Sequence, residues 1–441
     1  MAVQTNWLRS RRHRETVLKL AINHHFKSKI YTTGSTISGT VTITPQHDLP
    51  FDAFQISLVG KASTQVDFLR PCASFSNHIF LKLDMPTPRY QLPPSRVFEA
   101  GKPYRLRFEF VVPSQLGSAA CNHRCSALVQ EQHLQLPPTM GHLDGNDQAP
   151  ETAKIEYAIT ARIIQRKRSG KESVIETSHP IKVLPVFSEE PPLHIVPDDK
   201  RYRLCQAKKM RQGLLSTHNG ILRVSAIQPR PVELSVYTLR AAGSPVRLDF
   251  EFTSVSANLV PPDAFSIAAK VTSATHFSLA PMKTLTNLGD SKETLPCPVV
   301  PYLTTQSIVV DDPGRIFWER KLPSPRYSRR DSGKSGVKDE RDDSSSALIE
   351  NPGIEESSRH SHVATLDIPF TLPTSNKNIF LPTFQSCLIS RTYNISITLT
   401  MRPSGTAISL SIPLQVTTTK GTIDLPSVSP QQDVSLPKPT R

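Results

Sequence analysis

The chain has 441 residues, 39 prolines against 18 glycines, 37% hydrophobic residues and a formal net charge of +14. That length allows two or three domains, the proline excess favours short strands joined by proline turns over long helices, and the low apolar content predicts that part of the chain packs into no core. The positive charge suits an anionic partner such as a phospholipid headgroup, a phosphorylated segment or nucleic acid, without choosing among them.

Residues 1–15 read as a basic arm carrying Arg9, Arg11, Arg12 and Arg14. No apolar core follows it, so a secretory signal is not expected. No stretch approaches about 18 apolar residues, so a membrane-spanning helix is not expected either. Six scattered cysteines lack the density of a disulfide framework and read as reduced thiols. The expected location is cytoplasmic, or peripheral on the cytosolic face of the plasma membrane or endosomes.

The spacing predicts strands over 17–22 and 37–43, flanking a turn at Tyr31–Gly34. Residues 54–60 put Phe54, Ile56 and Leu58 on one face, the period of a half-buried strand. The same alternation recurs at 104–110 and at 246–252, where Leu248, Phe250 and Phe252 face in while Arg247, Asp249 and Glu251 face out. Between these strands, Cys121, His123 and Cys125, with His133 and His142 nearby, offer thiol and imidazole groups of the kind zinc accepts. Structural zinc sites pair ligands at both ends, and here the second end is two histidines nine apart. The spacing therefore favours an ordinary loop, and no metal or cofactor is expected.

Residues 188–212 read as a basic hinge linker, with Lys200, Arg201, Arg203, Lys208, Lys209 and Arg211 and no acidic residue in the stretch from Lys200. Residues 311–362 are rich in Ser, Arg, Asp, Glu and Gly without apolar periodicity. Such a segment buries too little surface to offset its ordering entropy, which predicts a long disordered insertion. Within it, Arg329-Arg330-Asp331-Ser332 presents a basophilic kinase signature, making Ser332 a phosphorylation candidate. Residues 421–441 read as a disordered, proline-containing tail.

One ordered set of short segments occurs twice. Residues 108–113 end in Val111-Val112-Pro113 and are followed by Leu136-Pro137-Pro138, Tyr157-Ala158-Ile159 and Pro180-Ile181-Lys182-Val183. Residues 366–373 end in Thr371-Leu372-Pro373 and are followed by Leu381-Pro382-Thr383, Tyr393-Asn394-Ile395 and Pro413-Leu414-Gln415-Val416. The repetition predicts an all-β chain of two tandem immunoglobulin-like β-sandwiches, over 16–187 and 213–420.

Tyr31-Thr-Thr-Gly34-Ser-Thr-Ile-Ser-Gly39-Thr-Val resembles the opening of arrestin-like N-terminal domains, and Ile56-Ser-Leu-Val-Gly60 resembles the strand that follows it there. His133-Leu-Gln-Leu-Pro-Pro138, Tyr157-Ala-Ile and Pro180-Ile-Lys-Val183 are similar to later strands of that domain. Gly220-Ile-Leu-Arg-Val224, Leu381-Pro-Thr-Phe-Gln-Ser386 and Tyr393-Asn-Ile-Ser-Ile397 resemble an arrestin C-terminal domain of the fungal α-arrestin type. The resemblance covers most of 16–420 outside the insertion. It implies a non-enzymatic adaptor of arrestin fold that recognises cytosolic parts of plasma-membrane transporters or receptors. It further implies a role in their ubiquitination and endocytic sorting through a HECT-type ubiquitin ligase, docked by Pro-Pro-x-Tyr motifs.

This chain has no Pro-Pro-x-Tyr. It has Pro86-Thr-Pro88-Arg-Tyr90 and Pro323-Ser324-Pro325-Arg-Tyr327, in which Thr87 or Ser324 replaces one proline. Two readings stand: degenerate docking motifs for a WW groove, or phosphorylation sites and plain loops. If a ligase docks, the copy at Tyr327 is the expected one. The alternative function is an arrestin-fold scaffold in signalling or vesicle trafficking without ligase recruitment. No Gly-x-Ser-x-Gly, His-Glu-x-x-His or Walker pattern is present, so an enzyme is not expected. The basic clusters lack the interleaved aromatics that stack bases, so nucleic acid is not an expected partner and an anionic membrane surface is.

Overall fold

A computed structural model describes residues 17–66, 74–86, 92–141, 146–166, 172–186, 193, 195, 201–211, 219–236, 241–242, 245–254, 259–287, 299–310, 316–321, 360–375, 378–402 and 405–419. The regular secondary structure of the described residues is nearly all β-strand. In the first half these are β1 (Val17–Ile22), β2 (Ile30–Tyr31), β3 (Thr36–Thr44), β4 (Leu49–Pro50), β5 (Ala53–Val66), β6 (Ser74–Asp84), β7 (Val97–Phe98) and β8 (Tyr104–Val111). A short helix, α1 (Ala127–His133), precedes β9 (Ala153–Arg166) and β10 (Glu172–Val183).

Two sheets, in the orders β1-β3-β8 and β2-β10-β9-β5-β6, feed one hydrophobic cluster. Val41 and Ile43 of β3 and Phe108 of β8 share that cluster with Ile56 and Leu58 of β5 and Ile159 of β9. Strict alternation makes this possible, because β8 reads half-buried, exposed, buried, exposed along its length and turns one face inward. The expected turn before β3 forms with Gly34 at φ +78, and the Gly34 amide donates to Val112. A side chain at Gly39 would have to occupy the place of the Phe108 ring and the Ala21 carbonyl.

The second half contains β11 (Cys205–Arg211), β12 (Asn219–Ala226), β13 (Val232–Ser235), β14 (Ala241–Ala242), β15 (Val246–Ser254), β16 (Phe265–Phe277), β17 (Val300–Ile308) and β18 (Glu319–Lys321). It continues with β19 (His360–Ile368), β20 (Phe384–Gln385), β21 (Ile389–Met401), β22 (Ala407–Leu414) and β23 (Val416–Thr419). The pairings of the first half recur here in the same sequence order. Antiparallel β1·β3 and β3·β8 correspond to β12·β15 and β15·β19. The ladder β6·β5·β9·β10 corresponds to β17·β16·β21·β22. Even the parallel contact repeats, with Val183 beside Tyr31 in one copy and Val416 beside Val232 in the other.

The repeated loops match in detail. The Tyr157 hydroxyl donates to the Pro137 carbonyl at 2.5 Å, and the Tyr393 hydroxyl donates to the Leu381 carbonyl at 2.7 Å. Two residues on, the Thr139 hydroxyl accepts the Val183 amide and the Thr383 hydroxyl accepts the Val416 amide. The structure thus aligns Pro138-Thr139 with Pro382-Thr383, one residue away from the Leu-Pro match of the sequence.

Two expectations change. Residues 201–211 of the predicted hinge are no free linker: β11 runs antiparallel to β12 at a sheet edge, and Arg203 bridges to Ser411. The basic run hides a strand whose pairing is made by backbone groups, which charge does not interrupt. The expected disordered insertion is also ordered at both ends. Ile316 is buried, the Trp318 indole donates to the Pro262 carbonyl, and β18 pairs with β19 from His360 onward.

Candidate functional site at the junction of the two halves

The core of the first half is completed by the second. Val236, Phe277, Leu381, Phe384, Leu388 and Ile389 belong to the same apolar cluster as β3, β5, β8 and β9. Alongside it runs a buried polar seam. The Ile379 amide donates to the Asn146 carbonyl, the Gln148 amide group donates to Asn378, and the Ser273 hydroxyl donates to Gln148. At the centre Arg391 of β21 is 0% exposed, and its guanidinium donates to the Asp147 carbonyl at 3.0 Å. The Asp147 carboxylate accepts the Gly141 and Ala149 amides, which shape the loop over the arginine. Burial, and then Arg201 and Arg391 close by, hold His276 at a pKa of about 4, so its ring is neutral.

A second cluster lies at the same junction. The chain leaving β8 passes through a 3-10 turn (Ser118–Ala120) to Cys121 and then enters α1, capped by the Ser126 hydroxyl accepting the Val129 amide. Cys121, His123, Cys125 and His133 thereby converge, their ligating atoms all within 4.8 Å of one another. Cys121 Sγ lies 3.7 Å from His123 Nδ1 and 3.6 Å from His133 Nδ1. Cys387, just before β21, is also buried here, and its thiol donates to the Ala120 carbonyl, which His78 Nε2 holds from β6 at 2.9 Å. Desolvation raises the Cys121 thiol, with Cys125 adding to it, and pushes Cys387 up to about 12. Desolvation, then His123 and His78, lowers His133 to about 4. Burial thus favours the neutral thiols of Cys121 and Cys387 and the neutral imidazole of His133.

A third feature is a groove of ≈ 640 Å³ on the first half, lined by His25, Phe26, Lys27, Tyr157, His179 and Lys182 among others. Phe26 is 60% exposed beside it.

The residues proposed from sequence are dispersed. Pro86 is exposed after β6, while Pro88, Tyr90, Pro323, Ser324, Pro325, Tyr327 and Ser332 lie outside the described residues. Arg9, Arg11, Arg12, Arg14 and Lys200 also lie outside them. Arg203, Lys208 and Lys209 are exposed on or beside β11, and Arg211 ends that strand. Arg201 instead turns to the Thr286 carbonyl. The cysteine–histidine loop is more than an ordinary loop in geometry: His133, not the His133–His142 pair, joins the three upstream ligands, and His142 lies outside the described residues. Sequence reasoning missed Cys387 and Arg391. The arginine was visible as the one charge in the stretch Leu388–Ile395, whereas nothing in the sequence tied Cys387 to a segment so far upstream.

The chain matches no protein-family model and no curated protein. Among the described residues, no helix is long and apolar enough to cross a membrane.

Proposed function

We propose that the chain is an arrestin-like adaptor, built of two tandem β-sandwiches, that recognises cytosolic segments of membrane proteins and promotes their ubiquitination and endocytic sorting. The observation that carries this reading is the repetition of strand pairing around two cores joined by a buried seam. A duplicated sandwich of this kind offers loops and strand edges for recognition on a firm frame, which suits binding better than turnover. The groove lined by Phe26, with Lys27 and Lys182 outnumbering Glu156 among its charged lining residues, supports recognition of a segment carrying an apolar side chain among acidic or phosphorylated neighbours. Lys208 and Lys209 on the β11 edge support peripheral contact with an acidic membrane, to which each basic residue contributes about 1 kcal/mol.

The absence of Pro-Pro-x-Tyr favours a second reading, a scaffold that recruits no ligase. Proximity labelling in cells separates the two. The adaptor places membrane transporters or receptors and a HECT-type ligase among the labelled neighbours, and Tyr327→Ala reduces the ligase signal. Labelled cargo with no ligase in either variant leaves the scaffold, and labelling of neither class ends both readings.

A further inference from the structure

We propose that Cys121, His123, Cys125 and His133 bind one zinc(II) ion, which fastens the segment between β8 and β9 to the second half of the chain. With Zn–S near 2.3 Å and Zn–N near 2.0–2.1 Å, tetrahedral angles place sulfur and nitrogen ligands about 3.5 Å apart and two sulfurs about 3.8 Å apart. Cys121 Sγ stands 3.6 Å from His133 Nδ1 and 3.7 Å from His123 Nδ1, and all four donors fall within 4.8 Å. The two Cys121–histidine separations match a sulfur–nitrogen edge of a common tetrahedron, and the 4.8 Å limit exceeds a sulfur–sulfur edge by about 1 Å, which rotation of the half-buried His123 and Cys125 side chains closes.

The donor chemistry points the same way. Two thiols and two imidazoles suit zinc, and carry none of the oxygens that calcium or magnesium require. Binding releases the two thiol protons to solvent, and the resulting thiolates cancel the 2+ charge. A neutral complex is what a site with Cys121 and His133 shut off from water accommodates.

The surroundings orient the ligands from both halves. The His123 ring is hydrogen-bonded to the Met282 backbone, and the Met282 amide donates to the Cys387 carbonyl at 2.8 Å. Outer contacts of this kind fix imidazole orientation at metal sites. Because Met282 and Cys387 belong to the second half and the ligands to the first, the ion braces the junction. Cys387 stands outside the ligand set, its thiol engaged with the Ala120 carbonyl.

Elemental mass spectrometry of the full chain, expressed with added zinc and desalted without chelator, tests this. One zinc per chain is expected in the parent and in Cys205→Ser, whose thiol is exposed on β11. Cys125→Ser and His123→Gln should each lose most of the zinc while circular dichroism keeps the β signature, since both side chains are only half-buried. Cobalt(II) in place of zinc should give the visible spectrum of a tetrahedral thiolate site, weakened in Cys125→Ser. Should either variant unfold, chelation of the parent replaces it, and zinc-reversible sensitisation of residues 118–134 to protease is then the expected result. A parent with no stoichiometric zinc, zinc retained in both variants, or zinc lost in Cys387→Ser but kept in Cys125→Ser overturns the assignment. Chelation without effect on protease cleavage also overturns it.

Discussion

His276 carries the clearest acid sensitivity outside the cysteine–histidine cluster. It sits at the end of β16, its Nδ1 has no partner among the described residues, and Arg201 and Arg391 lie near enough to oppose a positive ring. The folded ring takes a proton near pH 4 and the unfolded one near the ordinary value of 6.5. Above pH 6.5 both states are neutral and the residue has no pH-dependent effect. As pH falls from about 6.5 to 4 the unfolded chain binds the proton first, so stability drops, on the order of 3 kcal/mol in all. Urea midpoints between pH 7 and 4 should therefore fall less steeply in His276→Gln than in the parent. Parallel slopes would remove His276 as the cause.

At the level of single elements, the two tyrosine-tied loops are alike in form and unequal in consequence. Tyr393 both donates to the Leu381 carbonyl and accepts the Leu381 amide, whereas Tyr157 meets Pro137, which has no amide proton. Burial raises the pKa of both phenols, so both hydroxyls stay protonated and able to donate. Tyr393→Phe strands two buried backbone groups and should cost about 1–3 kcal/mol, while Tyr157→Phe strands one and should cost less. Denaturant titration of the two variants checks the order, and a larger loss in Tyr157→Phe would contradict it. These loops were legible in the sequence because Leu-Pro followed by a strand tyrosine recurs in the same order in both halves. The central strands were legible too, since Leu248, Phe250 and Phe252 alternate with charges. What escaped was held by backbone pairing or by distant residues. β18 is Glu319-Arg320-Lys321, with no apolar residue to betray a strand, and it exists because Trp318 anchors it and β19 supplies the ladder. β11 is hidden in its lysines for the same reason. His133 was visible as a candidate beside the cysteines, but its approach to Cys121 runs through a short helix whose presence the spacing alone did not give.

Across the whole molecule, the seam around Arg391 decides whether the halves behave as one body. The apolar cluster of the first half needs Leu381, Phe384, Leu388 and Ile389, and the polar layer beside it is closed by Asn378, which bonds to Gln148, Gln306 and the Pro373 carbonyl. Separation would expose that apolar surface and exchange the guanidinium's bond to the Asp147 carbonyl for bonds to water, so the apolar surface is the main cost. The full chain should therefore unfold in one calorimetric transition despite its length. Arg391→Ala removes the central donor and its bulk, and loss of a buried charged group from a paired network typically costs about 3–5 kcal/mol. Arg391→Met keeps much of the volume and buries no charge, so it should cost less. If the seam is what couples the halves, Arg391→Ala separates the single transition into two, the earlier one belonging to the half whose core has lost its covering. Arg391→Met should preserve the single transition at a modestly lower temperature. Two transitions already in the parent would mean that the shared core is too weak to couple the halves, and a single transition in Arg391→Ala would place the coupling in the apolar cluster instead of the polar seam.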